Sequence, residues 1–276
     1  MNAVIPAAGY GTRFLPATKA VPKEMLPVGN KPAIQLIVEE AVAAGAERVV
    51  IVTSPDKPAL RRHFEPDAVW HERLKNKPEA DAEMFRIEEL AKRINFVDQL
   101  QQRGLGHAVL QAEPALRGDK TPFLVLLGDA LVDGSEPCAC ELARTADEVA
   151  PDASWVGLER VPTERVSRYG VIKGDQVGAN GLVYRVSGLV EKPAPEEAPS
   201  DLAIAGRYLL QPVIFDYLST QIPGKGGEIQ LTDAIMRSLE ITGVFGFRYS
   251  GKRHDIGNPQ GYLTALTSIN ATILRS

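Results

Sequence analysis

The sequence predicts an α/β protein in which helices cover both faces of a mixed, predominantly parallel sheet, and three observations support this class. Residues 2–8 and 47–54 are apolar, strand-like segments, and the apolar residues of 32–44 recur at the spacing of a helix. A strand, a helix and a second strand in this order form a βαβ unit with a right-handed crossover. The composition, with 44% hydrophobic and 24% charged residues in a chain of 276, is that of a folded globular protein.

The rest of the first half continues this alternation. Residues 55–93 are charged and interrupted by prolines, which predicts short surface helices. Residues 94–99 and 122–129 are predicted strands, and residues 106–116 are a predicted helix between them. The strand 122–129 ends at Asp129, and the ligands of open α/β sheets collect at the carboxyl ends of the strands. Asp129 is therefore a candidate functional residue.

The second half has the pattern of a smaller, more antiparallel lobe. After a predicted helix at residues 138–149, closely spaced strand candidates follow, with glycines and prolines between them. These candidates are residues 154–160, 169–174, 181–193 and 202–210. Two more helices and one strand complete the chain, at residues 228–241, 259–273 and 243–250 respectively. The length is compatible with one enlarged domain or with two domains.

The charge and the cysteines disfavour several classes of protein. With 31 basic and 35 acidic residues the formal net charge is −4, which gives no general attraction to nucleic acids or anionic membranes. Two cysteines, Cys138 and Cys140, are too few for a disulfide framework or a self-contained zinc site. The N-terminus lacks the pattern of a secretion signal, and no stretch of about 18 apolar residues occurs. We therefore expect a soluble, cytoplasmic protein without a nucleic-acid or membrane partner.

A glycine-rich segment after the first predicted strand is the strongest functional signal. Residues 9–27, GYGTRFLPATKAVPKEMLP, begin with a Gly-x-Gly turn, in which backbone amides can approach a phosphate closely. Between residues 9 and 31 the chain has four basic side chains, and Glu24 is the one acidic side chain. The basic residues are Arg13, Lys19, Lys23 and Lys31. The segment predicts a triphosphate site in which Arg13 and Lys23 are stronger candidates than Lys19.

Two common nucleotide-binding motifs do not fit this segment. The dinucleotide fingerprint G-x-G-x-x-G needs a glycine where this chain has Phe14, and the Walker A pattern G-x-x-x-x-G-K-[ST] does not occur. A dehydrogenase and a P-loop enzyme are therefore disfavoured. If residues 9–27 bind no ligand, they would form a tight strand-to-helix turn whose lysines are solvated.

Seven segments in this order resemble the bacterial UTP:glucose-1-phosphate uridylyltransferases, also called UDP-glucose pyrophosphorylases, a branch of the sugar nucleotidyltransferases. They are GYGTRFLPATKAVPKEMLPV, RGLGHAV, YGVI, LVEKP, AGRYLL, GEIQLTDAI and KRHDIGNPQGY, and the resemblance runs from residue 3 to about residue 265. It implies one nucleotidyltransferase domain over residues 1–276, with a three-layer α/β/α, Rossmann-like core and a small β-rich sugar-binding lobe. In this domain residues 1–150 would mainly bind the nucleotide, whereas residues 151–276 would mainly bind the sugar phosphate and supply the C-terminal helices. The resemblance also implies a homodimer or a homotetramer.

The implied reaction converts UTP and glucose 1-phosphate to UDP-glucose and pyrophosphate with Mg²⁺. The sugar phosphate attacks the α-phosphorus in line, so catalysis needs cations on the phosphates and little proton chemistry. The resemblance assigns Arg13 and Lys23 to the triphosphate and Lys192 to the sugar phosphate. It assigns Asp129 and Asp255 to Mg²⁺, which takes one or two carboxylates and keeps several waters. Without the resemblance, Asp129 could be a strand-end turn residue and Asp255 a helix N-cap.

Recognition of the base is implied for Gln99. The uracil edge offers an N–H donor between two carbonyl acceptors, so a selective pocket needs an acceptor flanked by donors. Gln99 matches the family's base-recognising glutamine, with Gln101 and Gln102 as competing positions. Thymidylyl relatives have glutamine at the position of Glu24, which favours UTP over dTTP. Further nucleotide contacts are implied for Ala8, Gly9, Gly11, Thr12, Glu24 and Gly104.

The sugar contacts are implied by three positions in the second half. Glu191 would accept hydrogen bonds from glucose hydroxyls, since a carboxylate is an acceptor only. Gly170 and Gly206 match positions where the family brings its backbone against the sugar. His107 and His254 flank these motifs, but transfer of this kind needs no histidine base, so we expect structural roles for both.

Two alternatives remain open at this point. A thymidylyltransferase or another sugar-1-phosphate nucleotidyltransferase would share most of these motifs. A non-catalytic, sugar-nucleotide-binding regulatory subunit would not need to retain the cations that stabilise the leaving group, and this chain has them. A glycosyltransferase with an Asp-x-Asp motif is disfavoured, because Asp129 is followed by Ala130 and Leu131.

Overall fold

The computed structural model describes residues 1–178 and 180–273, so residue 179 and the last positions of the predicted domain, 274–276, lie outside the described part of the chain. The described strands are β1 (Asn2–Pro6), β2 (Pro27–Val28), β3 (Lys31–Pro32), β4 (Arg48–Thr53), β5 (Ile94–Asp98), β6 (Phe123–Leu126), β7 (Ala130–Asp133), β8 (Ser154–Arg160), β9 (Gly170–Val177), β10 (Val183–Glu191), β11 (Leu202–Leu210), β12 (Val244–Arg248) and β13 (Lys252–Asp255). The described α-helices are α1 (Ala33–Ala43), α2 (Pro58–Phe64), α3 (Ala68–Leu74), α4 (Pro78–Ala91), α5 (Leu105–Gln111), α6 (Glu113–Leu116), α7 (Cys138–Val149), α8 (Ile214–Ser219), α9 (Leu231–Thr242) and α10 (Pro259–Ile273).

One mixed sheet runs through the described molecule in the order β5-β4-β1-β6-β11-β8-β12-β10-β9. Strands β5, β4, β1 and β6 are parallel neighbours, as are β8 and β12, and the other neighbours in this order are antiparallel. The α/β class with a mixed sheet is confirmed.

The mostly antiparallel pairing predicted for the second half is confirmed. Two other details of the prediction differ: parallel pairing predominates only in the first half and not in the whole sheet, and the strands of the second half extend the same sheet instead of forming a lobe of their own. Strand β11 gives the physical reason, because all nine of its residues are buried. A strand buried on both faces needs covering layers and hydrogen-bonded neighbours, and β11 has them between β6 and β8.

Helices cover both faces of this sheet, which confirms the three-layer α/β/α arrangement. On one face, helices α1, α7 and α10 contribute buried residues such as Ile37, Leu142 and Ala265. On the other face, helices α5, α8 and α9 contribute Val109, Leu218 and Ile235. Periodic apolar residues on each helix therefore bury one side against the sheet.

Two predicted helices have different bounds for local reasons. The helix predicted at residues 106–116 is divided into α5 and α6, and Pro114 lies in the first turn of α6, where its missing N–H is tolerated. The helix predicted from residue 228 begins at Leu231. The preceding Ile229 lies outside the helix and forms backbone hydrogen bonds with Arg103 and Gly106 at 2.8 Å each, which fixes the start of α5.

A small second sheet joins two distant parts of the chain beyond the carboxyl end of β6. Strand β7 pairs antiparallel with β13, and Ala130 lies opposite Asp255 in this register. Because Asp129 directly precedes Ala130, the pairing brings the two predicted metal ligands to the same place. Among the described helices, none has the length and apolar character needed to cross a membrane.

Candidate active site

A cleft of about 450 Å³ opens at the carboxyl ends of β1 and β6. The predicted site residues that line it are Ala8, Gly9, Arg13, Lys23, Glu24, Gln99, Gly104, Asp129 and Lys192. Gln102 and Glu228 line it too. Most of the wall comes from the first half of the chain, and Lys192 and Glu228 come from the second half.

The two predicted metal ligands converge in front of Gly257. A Cβ atom built on Gly257 would lie 2.7 Å from Oδ2 of Asp129 and 3.0 Å from Oδ1 of Asp255. The Gly257 amide donates to Oδ1 of Asp255 at 2.9 Å, which orients that carboxylate. In the described part of the chain no group of three or more His, Cys, Asp and Glu side chains is placed to hold a metal ion. Two hard carboxylates nevertheless fit Mg²⁺, which takes one or two of them and completes its shell with phosphate oxygens and water.

Lys23 lies directly against one of these carboxylates. Its Nζ donates to Oδ2 of Asp129 at 2.5 Å, and both side chains are partly buried. Burial alone would raise the pKa of Asp129, but the charge and hydrogen bond of Lys23 lower it. Burial alone would lower the pKa of Lys23, but Asp129 and Glu24 raise it. Asp129 is therefore an anion and Lys23 a cation at neutral pH, and Arg13 adds a second positive charge near both.

Glu24 is held in a buried ion pair that the sequence did not predict. Lys57 donates to Oε2 of Glu24 at 2.9 Å and to the Ala7 carbonyl at 2.7 Å, and both charged side chains are largely buried. Burial raises the pKa of Glu24 and lowers the pKa of Lys57, and each partner opposes the shift of the other. The carboxylate of Glu24 thus fixes the turn after β1 through Lys57, in addition to lining the cleft.

The predicted base-recognition residues lie together at one end of the cleft. Gln99 is buried, and its Nε2 lies 2.8 Å from Nδ1 of His107 and 3.4 Å from the Gly104 carbonyl. Gln102, a competing position in the sequence, accepts a hydrogen bond from the Tyr10 hydroxyl at 2.7 Å. Of these two glutamines, Gln99 is buried, whereas Gln102 is half-buried and links its own loop to the loop of Tyr10.

The predicted sugar contacts form a second cluster beside Lys192. Thr232 donates from Oγ1 to Oε2 of Glu191 at 2.7 Å, and Lys192 lies 3.3 Å from the same carboxylate. A Cβ on Gly170 would come within 2.9 Å of Thr232 Oγ1 and 3.2 Å of Glu191 Oε2, so only glycine leaves this carboxylate accessible. Lys192 itself has a positive φ of 48°, which is uncommon for a residue with a side chain.

Three further predicted residues are not among those that line the cleft. Gly206 packs against the end of β6, where a Cβ would come within 3.3 Å of Leu127 and 3.1 Å of Ala130. Gly11 has a φ of 66° in the glycine-rich loop, and its carbonyl accepts a hydrogen bond from Thr18 at 2.8 Å. Thr12 is exposed at the start of the following 3-10 helix. Gly11 nevertheless lies beside Lys23, since a Cβ built on Gly11 would lie 3.5 Å from Cβ of Lys23.

Comparison with known proteins agrees with this geometry. The family described as "Nucleotidyl transferase" matches residues 2–272. The chain belongs to the nucleotidyl transferase family. Its relatives include the UTP--glucose-1-phosphate uridylyltransferases of Streptococcus pneumoniae serotype 4, 47% identical over 95% of this chain and 87% of the relative, and of Bacillus subtilis, 46% identical over 95% and 88%. The resemblance stated from the motifs is confirmed.

Solved structures of the same kind of enzyme superpose closely on this member of the family. A UDP-glucose pyrophosphorylase complexed with UDP-glucose gives a TM-score of 0.85 at 39% identity, covering 98% of both chains. The UTP-bound UGPase from Acinetobacter baumannii gives a TM-score of 0.86 at 38% identity, covering 97% of this chain and 92% of the other.

Proposed function

We propose that this chain transfers the uridylyl group of UTP to glucose 1-phosphate and releases pyrophosphate and UDP-glucose. One observation carries the proposal: two carboxylates from distant parts of the sequence, Asp129 and Asp255, meet at Gly257, with Lys23 on one of them. An enzyme that joins two phosphorylated substrates needs a divalent-metal site beside phosphate-binding cations, and this cluster supplies both.

The basic side chains would bind the phosphates of two different substrates. Arg13 and Lys23 lie at the glycine-rich side of the cleft, where they would hold the triphosphate and stabilise charge on the leaving pyrophosphate. Lys192 comes from the other half of the chain and would hold the phosphate of glucose 1-phosphate. Bound Mg²⁺ would be held by Asp129 and Asp255 and would neutralise phosphate charge. Glu191, oriented by Thr232, would accept the sugar hydroxyls.

The same placement supports one domain with two functional halves. Residues 1–150 would contribute most of the nucleotide site, and residues 151–276 the sugar-phosphate site. We propose that the active form is a homodimer or homotetramer, which light scattering on the purified protein can test. The free thiols of Cys138 and Cys140 fit the cytoplasm as the place of action.

A pyrophosphate-release assay tests the reaction. With Mg²⁺, UTP and glucose 1-phosphate, Asp129→Asn and Asp255→Asn should each reduce turnover at least about a hundredfold, because the metal supplies several kcal/mol to the developing charge. Asp147→Asn, on the exposed side of α7, is the control and should keep normal turnover. Near-normal turnover in both active-site variants would remove them from the site. Faster reaction with dTTP than with UTP at equal concentrations would replace the uridylyl assignment with the thymidylyl alternative.

A further inference from the structure

The base-recognising amide of Gln99 has two chemically different ends, and its neighbours determine which end a ligand meets. The carbonyl of Gly104 can only accept a hydrogen bond, so the amide group 3.4 Å away is the NH₂ end. The same Nε2 lies 2.8 Å from Nδ1 of His107. With the NH₂ end directed at these two atoms, the carbonyl oxygen is the end that Gln99 can offer to the cleft that it lines.

The contact between Nε2 of Gln99 and Nδ1 of His107, at 2.8 Å, requires a particular protonation state of the His107 ring. An amide NH₂ is a donor, so Nδ1 of His107 must carry no proton and accept. Burial lowers the pKa of His107 and the charge of Arg103 lowers it further, against a smaller opposing effect of the Gln101 carbonyl, so the ring is neutral at pH 7. The ring proton is then on Nε2, since a neutral imidazole carries one proton and Nδ1 is the accepting nitrogen.

The position of His107 is fixed by the backbone around it. It is the third residue of α5, and the residue before it, Gly106, donates its amide to the Ile229 carbonyl at 2.8 Å. A Cβ on Gly106 would lie 2.8 Å from that carbonyl oxygen, so α5 packs closely against the segment that leads into α9. This anchoring holds the imidazole against the buried side chain of Gln99.

We propose that His107 is a specificity-determining positioning residue, whose Nδ1 holds the Gln99 amide so that its oxygen accepts the N3–H of uracil. The inference rests on the proposed use of UTP and on Gln99 as the base contact. Cytosine has an acceptor at N3, which would face the Gln99 oxygen without a proton between them. Without His107 the amide can turn its NH₂ end into the cleft, where it suits cytosine.

The experiment compares three substitutions of His107 with Gln99→Ala. In His107→Asn the amide oxygen occupies about the place of Nδ1 and still accepts, in His107→Gln the amide lies near the place of Nε2, and His107→Leu removes both nitrogens. The measurement is kcat/KM for UTP and for CTP at constant Mg²⁺ and pH 7.5. Thermal unfolding of each variant shows whether it is folded.

We expect the ratio of UTP to CTP to fall about tenfold in His107→Leu and in His107→Gln, and to stay within about threefold of the wild-type ratio in His107→Asn. The dependence on Mg²⁺ should not change in any of them. An unchanged ratio in both His107→Gln and His107→Leu would overturn the inference, and so would equal losses in His107→Asn and His107→Gln. The proposed function fails separately if the wild-type enzyme does not prefer UTP, and the assignment of Gln99 fails if Gln99→Ala keeps the wild-type ratio. Either result also overturns the inference about His107.

Discussion

At the scale of single residues, the contact between Lys23 and Asp129 would make the proposed metal site dependent on the nucleotide. The ammonium of Lys23 occupies the same carboxylate oxygen, Oδ2 of Asp129, that also faces Gly257 and Asp255. A divalent cation that binds the free protein must displace this ammonium. In the proposed reaction, a bound triphosphate would give Lys23 phosphate oxygens as new partners, and the carboxylate of Asp129 would become available to the metal.

Lys23→Met should therefore bind a divalent cation more tightly than the wild type when no nucleotide is present. We expect an increase of about tenfold in Mn²⁺ affinity, which corresponds to about 1.4 kcal/mol, and electron paramagnetic resonance of free Mn²⁺ measures it. Arg13→Met is the matched control, because Arg13 acts on Asp129 through its charge, and its effect should be smaller. Unchanged or weaker Mn²⁺ binding by Lys23→Met would contradict the displacement of Lys23.

The residues that the sequence predicted and those that it missed differ in how they form the site. Arg13 and Lys23 could be predicted because cations concentrate in one glycine-rich segment after a strand. Lys57 and Thr232 could not, since each acts through a partner far away in sequence, Glu24 or Glu191, and only the fold brings them into contact. Lys57 lies among prolines outside every quoted motif, and Thr232 lies in the segment GEIQLTDAI, within which the resemblance assigned no role to this residue.

At the scale of elements, helices α3 and α4 are joined by a histidine whose two ring nitrogens face carboxylates. Nδ1 of His71 lies 2.6 Å from Asp81, and Nε2 lies 2.9 Å from Glu88. Both contacts can be hydrogen bonds only when both nitrogens carry protons, that is, when the ring is a cation. The hydrogen bonds to Glu88 and Asp81 raise the pKa of His71 above its ordinary value of 6.5.

The stabilisation from His71 should be present at low pH and lost as the pH rises. Because the folded-state pKa is raised, the contribution is complete below about pH 6.5 and disappears as the pH passes the folded-state pKa. Urea unfolding of His71→Gln should show a larger loss of stability at pH 5.5 than at pH 8.5. His63→Gln is the contrasting variant: burial lowers the pKa of His63, so its stability relative to the wild type should improve as the pH falls. A loss of stability in His71→Gln that does not vary with pH would show that a charged His71 does not stabilise the contact between α3 and α4.

The sequence predicted the bounds of several elements correctly. The helix at 138–149, the strands at 154–160 and 202–210 and the helix at 259–273 have the predicted bounds. The start of α9 could not be predicted from the sequence. Backbone hydrogen bonds to Arg103 and Gly106, more than a hundred residues away in sequence, hold Ile229 outside the helix.

At the scale of the whole molecule, a buried ion pair connects the sheet to one helical layer. Arg207 of β11 has no exposed surface, and its Nε and Nη2 donate to the carboxylate of Glu40 on α1 at 2.8 and 2.6 Å. The same carboxylate accepts from the backbone amide of Ala139 in α7 at 3.0 Å. Nη2 of Arg207 also donates to the Ala130 carbonyl at 2.9 Å, beside Asp129. Sequence patterns could not show this connection, nor that β11 lies in the middle of one sheet, because both depend on pairing between the halves.

Glu40→Gln should therefore destabilise the whole protein, because it leaves the guanidinium of Arg207 buried without a compensating charge. Breaking a buried pair from one side costs about 3–5 kcal/mol, and we expect a loss near the lower value because the amide oxygen still accepts one hydrogen bond. Glu39→Gln is the matched control, since Glu39 is the neighbouring residue on α1 and pairs with Lys31 at 2.9 Å while partly exposed to solvent. Loss of such a solvent-accessible pair should cost less than about 1 kcal/mol. Urea unfolding at pH 7 gives both values, and equal, small losses in the two variants would show that Arg207 finds other partners and that the layers are held together by apolar packing alone.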